Sequence, residues 1–404
     1  MSRSEPRVAT YCLDLTLLHT FNRVRGIGRY GAQLAQALAA LRSTSFGPQE
    51  RIIALTCSAA GDFVTTSDLV SASNVGAALG ESEAWGRHFK RYLWRHRWSA
   101  ARALRRAKVD VAHFLEKHTT RISRGYRTVV TCHDFVPILH PTGYHPRWYA
   151  YVEKARDKWV FSRADRVIAI SEATRRDYEK LFGRSAGHVA VVPQGLDHSV
   201  FHPRVAPDEI AALRRKHDLP ERFLLSMGNL DARKKPGVLF DVARFAFEAW
   251  RMPLVVAGVS LVDLGEPERR QVAASPPGAI RFLGAVPQDE VAPLYRAAWA
   301  HVFPSAYEGF GLTVLEAMGC GCPVVTTHAG ALREVAADAA RIVPVGDASA
   351  MSAVLREWFE DEAARQRVIA LGIERAAHFS WKACAEATLA SYRSCATDAA
   401  CSKP

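Results

Sequence analysis

The sequence predicts an α/β protein of two domains, each organised on a parallel sheet. Three observations predict it. The 404 residues are 49% apolar, enough to bury two cores. Short apolar runs alternate with helix-length segments along the chain, the pattern of βαβ units. One aperiodic stretch with three prolines, VVPQGLDHSVFHPRVAP (191–207), interrupts that alternation and reads as a linker near residue 205.

In the first half the strand candidates are VATYCLDL (8–15), RIIALT (51–56), VDVAHFL (109–115), TVVTCH (128–133), RVIAIS (166–171) and HVAVVP (188–193). Between the first two lies RGIGRYGAQLAQAL (25–38), an amphipathic helix with Tyr30, Leu34, Leu38 and Leu41 on one side. Gly26, Gly28 and Gly31 spell GxGxxG, but ten residues separate them from the first strand. A dinucleotide fingerprint needs its glycines directly after that strand, so this opening reads instead as backbone that approaches a phosphate closely. The segment from Trp85 to Lys108 carries nine Lys or Arg, no acid, and aromatics at 85, 89, 92, 94 and 98. Drawn as a helix, it turns Trp85, Phe89, Leu93 and, more loosely, Ala101 and Leu104 to one side. It reads either as a solvated helix with aromatics packed inward or as an interfacial helix on anionic lipid. No nucleic-acid fold accompanies the charge, so no nucleic-acid partner is expected. In TCHDFVPILHP (131–141), His133 and Asp134 stand at a strand terminus, where an imidazole either caps a carbonyl or meets a ligand.

The second half is more regular: FLLSMG (223–228), LVVAG (254–258), IRFLG (280–284), HVFPS (301–305), PVVTT (323–327) and RIVPV (341–345). After the first of these, MGNLDARKKP (227–236) places Asn229, Arg233, Lys234 and Lys235 in a strand-end loop, where ligands of open α/β sheets bind. After the fourth comes SAYEGFGLTVLEAMGCGCPVV (305–325). Gly309 and Gly311 permit a tight turn, and Leu312, Leu315 and Met318 recur at helical spacing, so a helix begins near Gly311 and ends at Gly321 and Pro323. Its free N–H groups suit a phosphate. Glu308 stays in the loop ahead and Glu316 lies about one and a half turns in. The segment 379–395 is helical in pattern. The expected division is therefore 1–204, 205–378, and a C-terminal helix and tail 379–404.

Net charge is +12, and it is uneven. Residues 1–200 hold 30 Lys and Arg against 17 Asp and Glu, and residues 201–404 hold 23 against 24. A basic first half seeks an anionic partner. Eight scattered cysteines without a CxxC pair indicate a reducing compartment, and Cys320 and Cys322 read as small buried residues rather than metal ligands. No window approaches the ~20 apolar residues of a membrane span, so the expected location is cytoplasmic, at most peripheral to the inner membrane face.

The two glutamates around a Gly-Phe-Gly turn resemble the signature of the family 4 retaining glycosyltransferases of the GT-B fold, also called group 1. The openings GIGRY and HDFVPILHP are most similar to bacterial polysaccharide mannosyltransferases. The resemblance implies two Rossmann-like domains facing across a cleft, with the C-terminal helix crossing back to the first. It implies that Glu308 contacts the donor hexose, that Phe310, Gly311 and Leu312 offer backbone amides, and that Glu316 holds the ribose hydroxyls. Arg233 and Lys234 would neutralise the donor diphosphate, His133 would bond the donor sugar, and Gly26 and Gly28 would approach its phosphate. Many members have an arginine where this chain has Asn229. The implied activity is retaining hexosyl transfer without a metal or other cofactor, leaning to GDP-mannose, with UDP-glucose or UDP-N-acetylglucosamine as alternatives. The acceptor would be a glycan or a polyprenyl-diphosphate-linked saccharide. A GT-B sugar-nucleotide epimerase and a non-enzymatic basic binding protein are the rivals from other classes.

Overall fold

A computed structural model describes residues 8–58, 62–69, 89–140, 147–183 and 188–397. Every strand expected from an apolar run forms. In the first unit they are β1 (Ala9–Asp14), β2 (Glu50–Cys57), β4 (Val111–Phe114), β5 (Arg127–Cys132), β6 (Arg166–Ala169) and β7 (Val189–Val191). A further three-residue strand, β3 (Phe63–Thr65), was not expected. It pairs antiparallel with β2 at the sheet edge, and three residues are too few to show a periodicity. The order is β3-β2-β1-β4-β5-β6-β7, with every pairing but β2–β3 parallel.

Helices α1 (Gly26–Ala40), α2 (Phe89–Arg106), α3 (Arg147–Arg163) and α4 (Glu172–Phe182) belong to this unit. Helix α1 buries Tyr30, Leu34, Ala35 and Leu38 against one sheet face, with Leu13, Ile52, Val111, Val129 and Ile168. Helix α2 covers the other face, burying Tyr92, Ala100 and Leu104 against Cys12, Ile53, Leu55, Ala112 and Phe114. Of the stripe expected from the sequence Leu104 is buried, and the inward side also includes Tyr92 and His96, while Trp94 and Trp98 point outward; the side chains of Phe89 and Leu93 lie outside those described. Trp85 lies outside the described residues. Helix α3 joins α2 on its face. Strand order steps one way from β1 to β2 and the opposite way from β5 to β6, so two right-handed crossovers place α1 and α3 on opposite sides.

The second unit is one open, fully parallel sheet, β10-β9-β8-β11-β12-β13. Its strands are β8 (Leu224–Met227), β9 (Leu254–Ala257), β10 (Ile280–Gly284), β11 (Ala300–Phe303), β12 (Val324–Thr327) and β13 (Arg341–Val343). The helices are α5 (Pro207–His217), α6 (Pro236–Trp250), α7 (Glu266–Ala273), α8 (Gln288–Ala297), α9 (Leu312–Gly319), α10 (Leu332–Ala336), α11 (Ala348–Glu360) and α12 (Glu362–Ala377). Strands fully buried on both faces explain why the sequence reads as continuous apolar runs rather than alternation.

The last helix, α13 (Trp381–Thr397), packs in the first unit, as expected. Leu389, Tyr392 and Cys395 enter the core beside α1, and the Tyr392 hydroxyl meets His113 Nδ1 at 2.7 Å. The units divide as Met1–Asp134, Trp148–Gly195 and Trp381–Pro404 against Phe135–Arg147 and Leu196–Ser380. The second unit thus starts at Leu196, ahead of the linker placed near 205. The reason is local packing. Leu196 N–H donates to Phe379 O at 3.2 Å, and Leu196 and Phe201 close over Gly319, where a Cβ would come within 2.5 Å of Leu196.

Candidate active site

In the second sheet β8 and β11 are neighbours, yet the chain leaves β8 towards β9 and leaves β11 towards β12. The crevice beyond their carboxyl ends is where such sheets hold ligands. The residues singled out in the sequence collect there. Gly228, with φ +100°, turns the chain sharply off β8. A Cβ on Gly258 would approach Gly228 Cα to 2.9 Å, so two strand-end glycines pack on each other and keep backbone at the rim.

From Gly228 the loop runs through exposed Asn229 to Asp231, whose carboxylate caps the turn Ala232–Lys234 by accepting from Arg233 N–H at 3.1 Å. Asn229 Nδ2 donates to Asp231 Oδ2 at 3.2 Å, so it steadies the loop. Arg233 and Lys234 then diverge. The Arg233 guanidinium donates to the Glu308 carboxylate and to Tyr307 O, and lies 3.4 Å from Ser305 Oγ. Ser305 Oγ also donates to Glu308 Oε1 at 2.9 Å. The diphosphate and hexose residues suggested by the sequence are therefore one network, with Arg233 fixing Glu308. Lys234 is the opposite case: only 8% exposed, with no hydrogen-bond acceptor or carboxylate partner among the described residues. Its ammonium sits 5.2 Å over the Phe303 ring and would lie 2.9 Å from a Cβ on Gly228. Burial lowers its pKa, Glu308 opposes that shift and Arg233 adds to it.

On the β11 side the helix begins where expected. Gly311 adopts φ +109°, a conformation that favours glycine, and Leu312 opens α9. Val314 and Leu315 N–H both bond Gly311 O at 3.1 Å, leaving the amides of Leu312 and Thr313 at the helix start. The buried Phe310 side chain packs edge-on against Phe379, so its ring is committed to packing and only its backbone is left to face the crevice. Gly330 seats the glutamate loop: its Cβ would fall 2.2 Å from Glu308 O, which accepts Ala331 N–H at 2.9 Å. Glu316 is 3% exposed, and the Tyr295 hydroxyl reaches its Oε2 at 3.4 Å.

In the first unit the corresponding reversal lies between β1 and β4. The α1 glycines act there in different ways. Gly26 has open space around it, whereas a Cβ at Gly28 would lie 2.3 Å from Asn22 O and one at Gly31 2.6 Å from Leu115 Cδ1. Gly28 is thus demanded by backbone packing, whereas at Gly31 only the end of the Leu115 side chain would have to shift. His133 donates from Nε2 to Leu115 O at 2.8 Å, and its ring stands edge-on to Tyr30 at 5.0 Å. Burial lowers its pKa and so favours the neutral ring, in which, with Nε2 donating, Nδ1 carries an accepting lone pair. The carbonyl-capping geometry holds, and it leaves one ring nitrogen for a hydroxyl.

Sequence reasoning missed a polar cluster at the same strand ends. Buried Asp14 accepts from Thr16 and lies 3.1 Å from His96 Nε2. Lys117, just past β4, reaches Asp157 at 2.6 Å and Glu153 at 3.3 Å. Burial raises the neighbouring Glu116 carboxyl to about 7. The run Glu116-Lys117-His118 directly after an apolar strand was the available signal.

Two family descriptions match the chain: "Glycosyltransferase Family 4" over residues 24–200 and "Glycosyl transferases group 1" over residues 209–375. The O-antigen chain mannosyltransferase B of Escherichia coli is 30% identical over 390 residues, covering 91% of this chain and 96% of that protein. Sucrose-phosphate synthase from Thermosynechococcus elongatus aligns with a TM-score of 0.73 at 21% identity, covering 95% of this chain and 98% of the other. Anabaena HepE, solved in complex with UDP and glucose, aligns at 0.67 with 16% identity, covering 96% and 100%. These two structures speak to fold.

Proposed function

Since this chain belongs to the group 1, family 4 glycosyltransferases of the GT-B fold, we propose that it transfers mannose from GDP-mannose, with retention of configuration, to a lipid-linked saccharide in surface-polysaccharide synthesis. The observation that carries the donor site is the buried Lys234 ammonium, which makes no side-chain hydrogen bond or ion pair among the described residues and is held beside Gly228 at the end of β8. A buried cation is costly unless an anion neutralises it, and a diphosphate supplies that anion. The sugar C1–O bond then breaks towards the diphosphate, an acceptor oxygen bonds C1 on the same face, and its proton passes to the departing phosphate oxygen. Lys234 and the α9 amides stabilise charge that grows on the leaving group, which supports a reaction that needs no metal. Glu316 receives the ribose hydroxyls and Glu308, fixed by Arg233, the hexose. Neutral His133 accepts a hydroxyl hydrogen bond at Nδ1.

The mannose assignment draws on the printed activity of the Escherichia coli relative. The test is a thermal-shift panel of GDP-mannose, UDP-glucose, UDP-N-acetylglucosamine and ADP-glucose, followed by transfer assays with EDTA present. GDP-mannose should raise the melting temperature most. Stabilisation by UDP-sugars alone would move the donor to uridine nucleotides, an epimerised sugar formed without acceptor would identify an epimerase, and no nucleotide response would leave a non-enzymatic binding protein. An anomeric inversion in the product, or activity abolished by EDTA, would overturn the mechanism.

A further inference from the structure

Helix α3 is built inside out. Its inward residues include Glu153 and Asp157, both engaged by Lys117, beside Val160 and Phe161. On the opposite side, Trp148, Tyr151, Val152, Ala155 and Trp159 recur at i, i+3, i+4, i+7 and i+11, an apolar stripe turned to solvent. Trp148 is 61% exposed, Tyr151 76% and Trp159 49%. Exposed Lys154, Lys158 and Arg163 flank the stripe, and the Arg163 guanidinium lies over the Trp159 ring at 5.2 Å. Helix α2, on the same side of the sheet, turns Trp94, Trp98, Arg102 and Arg105 outward along a single stripe. Among the described residues six large aromatics are exposed, and five of them lie on these two helices; the sixth is Phe359.

Carboxylates drawn inward and indoles pushed outward cost a soluble protein apolar exposure with no return in folding, so a second medium must receive that face. We propose that α2 and α3 together form a membrane-binding face, and that its occupant is the interfacial zone of an anionic bilayer. Indole and phenol rings favour the headgroup level, and the flanking cations meet the negative surface potential. The cations that flank these rings on both helices fit an anionic bilayer surface better than the charge-depleted core of a protein interface. No described helix is long and apolar enough to cross a membrane, so the contact is a surface one. The inference deepens the lipid-linked acceptor reading and rests on it for its purpose, but its test does not use transfer activity.

The experiment is flotation of the full chain with phosphatidylcholine vesicles containing or lacking phosphatidylglycerol, at low and high salt. Binding should require the anionic lipid, weaken as salt rises, and blue-shift tryptophan emission. Trp148→Ala with Trp159→Ala should lower the vesicle partition by about tenfold or more while GDP-mannose still stabilises the variant. Arg102→Gln, Arg105→Gln, Lys154→Gln and Lys158→Gln together should remove the preference for anionic lipid. Three results would overturn the proposal: no vesicle binding by the unmodified chain, unchanged binding by the tryptophan variant, or concentration-dependent dimerisation that the variant abolishes without any lipid binding. Vesicle binding without nucleotide stabilisation would refute the transferase reading and leave the surface.

Discussion

Two adjacent cations, Arg233 and Lys234, meet opposite fates within one turn of chain. Arg233 is committed to Glu308 and Tyr307, whereas the buried Lys234 ammonium makes no side-chain hydrogen bond or ion pair among the described residues, which is why the proposed diphosphate contact falls to it. Lys234→Ala should therefore cost about 10²–10³-fold in turnover, with little loss of stability because a buried unpaired charge disappears. A variant that turns over within a few-fold of the unmodified enzyme would remove Lys234 from the diphosphate site. The glutamates should separate in the same way. Glu316→Gln should weaken free GDP by about ten- to a hundredfold in calorimetry, since charge-assisted bonds contribute about 1.5–3 kcal/mol. Glu308→Gln should leave GDP affinity nearly unchanged and slow hexose transfer, because the altered group is tied to Arg233 rather than to the nucleotide. An unchanged GDP affinity for the Glu316 variant would exclude it from the ribose site.

At the scale of elements, the start of α1 is fixed by Gly28. A Cβ there would meet the carbonyl oxygens of Asn22 and Arg23 at 2.3 and 2.4 Å, both backbone atoms with no side-chain freedom to yield. Gly28→Ala should destabilise by about 2 kcal/mol or more, whereas Gly26→Ala, with open space around it, should be tolerated. Equal melting temperatures for the two variants would contradict this packing account. The same glycines mark what a sequence shows and what it hides. The central runs were legible as strands because β8, β9, β11 and β12 are buried on both faces and so stay continuously apolar, and the α9 start was legible because Gly311 adopts a backbone that other residues avoid. Helix α3 was silent because its apolar period points outward, and periodicity names a face without naming the medium it meets. The Arg233–Glu308 pairing joins residues 75 apart in sequence, so no local pattern carried it. Leu196 and Phe201 were read as linker because their partner, Gly319, lies in the next domain's helix.

For the whole molecule, acidity is the exposed weakness. Burial lowers His113 to about 3 and His301 to about 4. An unfolded histidine titrates near 6.5, so below that pH the unfolded chain binds protons the folded one refuses, and stability falls as pH drops towards 4. The Glu116 carboxyl, raised to about 7 by burial, acts in the opposite sense between about 4.5 and 7, but against it stand His113, His301 and also His118 and His133, which burial lowers too. The melting temperature should thus be lower at pH 4.5 than at pH 7.5, and His301→Gln should reduce that difference. A melting temperature that holds steady across this range would show that other carboxylates compensate. A last consequence lies in the return of α13 to the first unit. The second unit is finished by Ser380, whereas the first lacks Leu389, Tyr392 and Cys395 from its core until they have left the ribosome. During synthesis the first unit therefore waits for residues made after the second unit. Its apolar α1 face lacks that cover while the middle of the chain folds, a period in which it is exposed to misassociation.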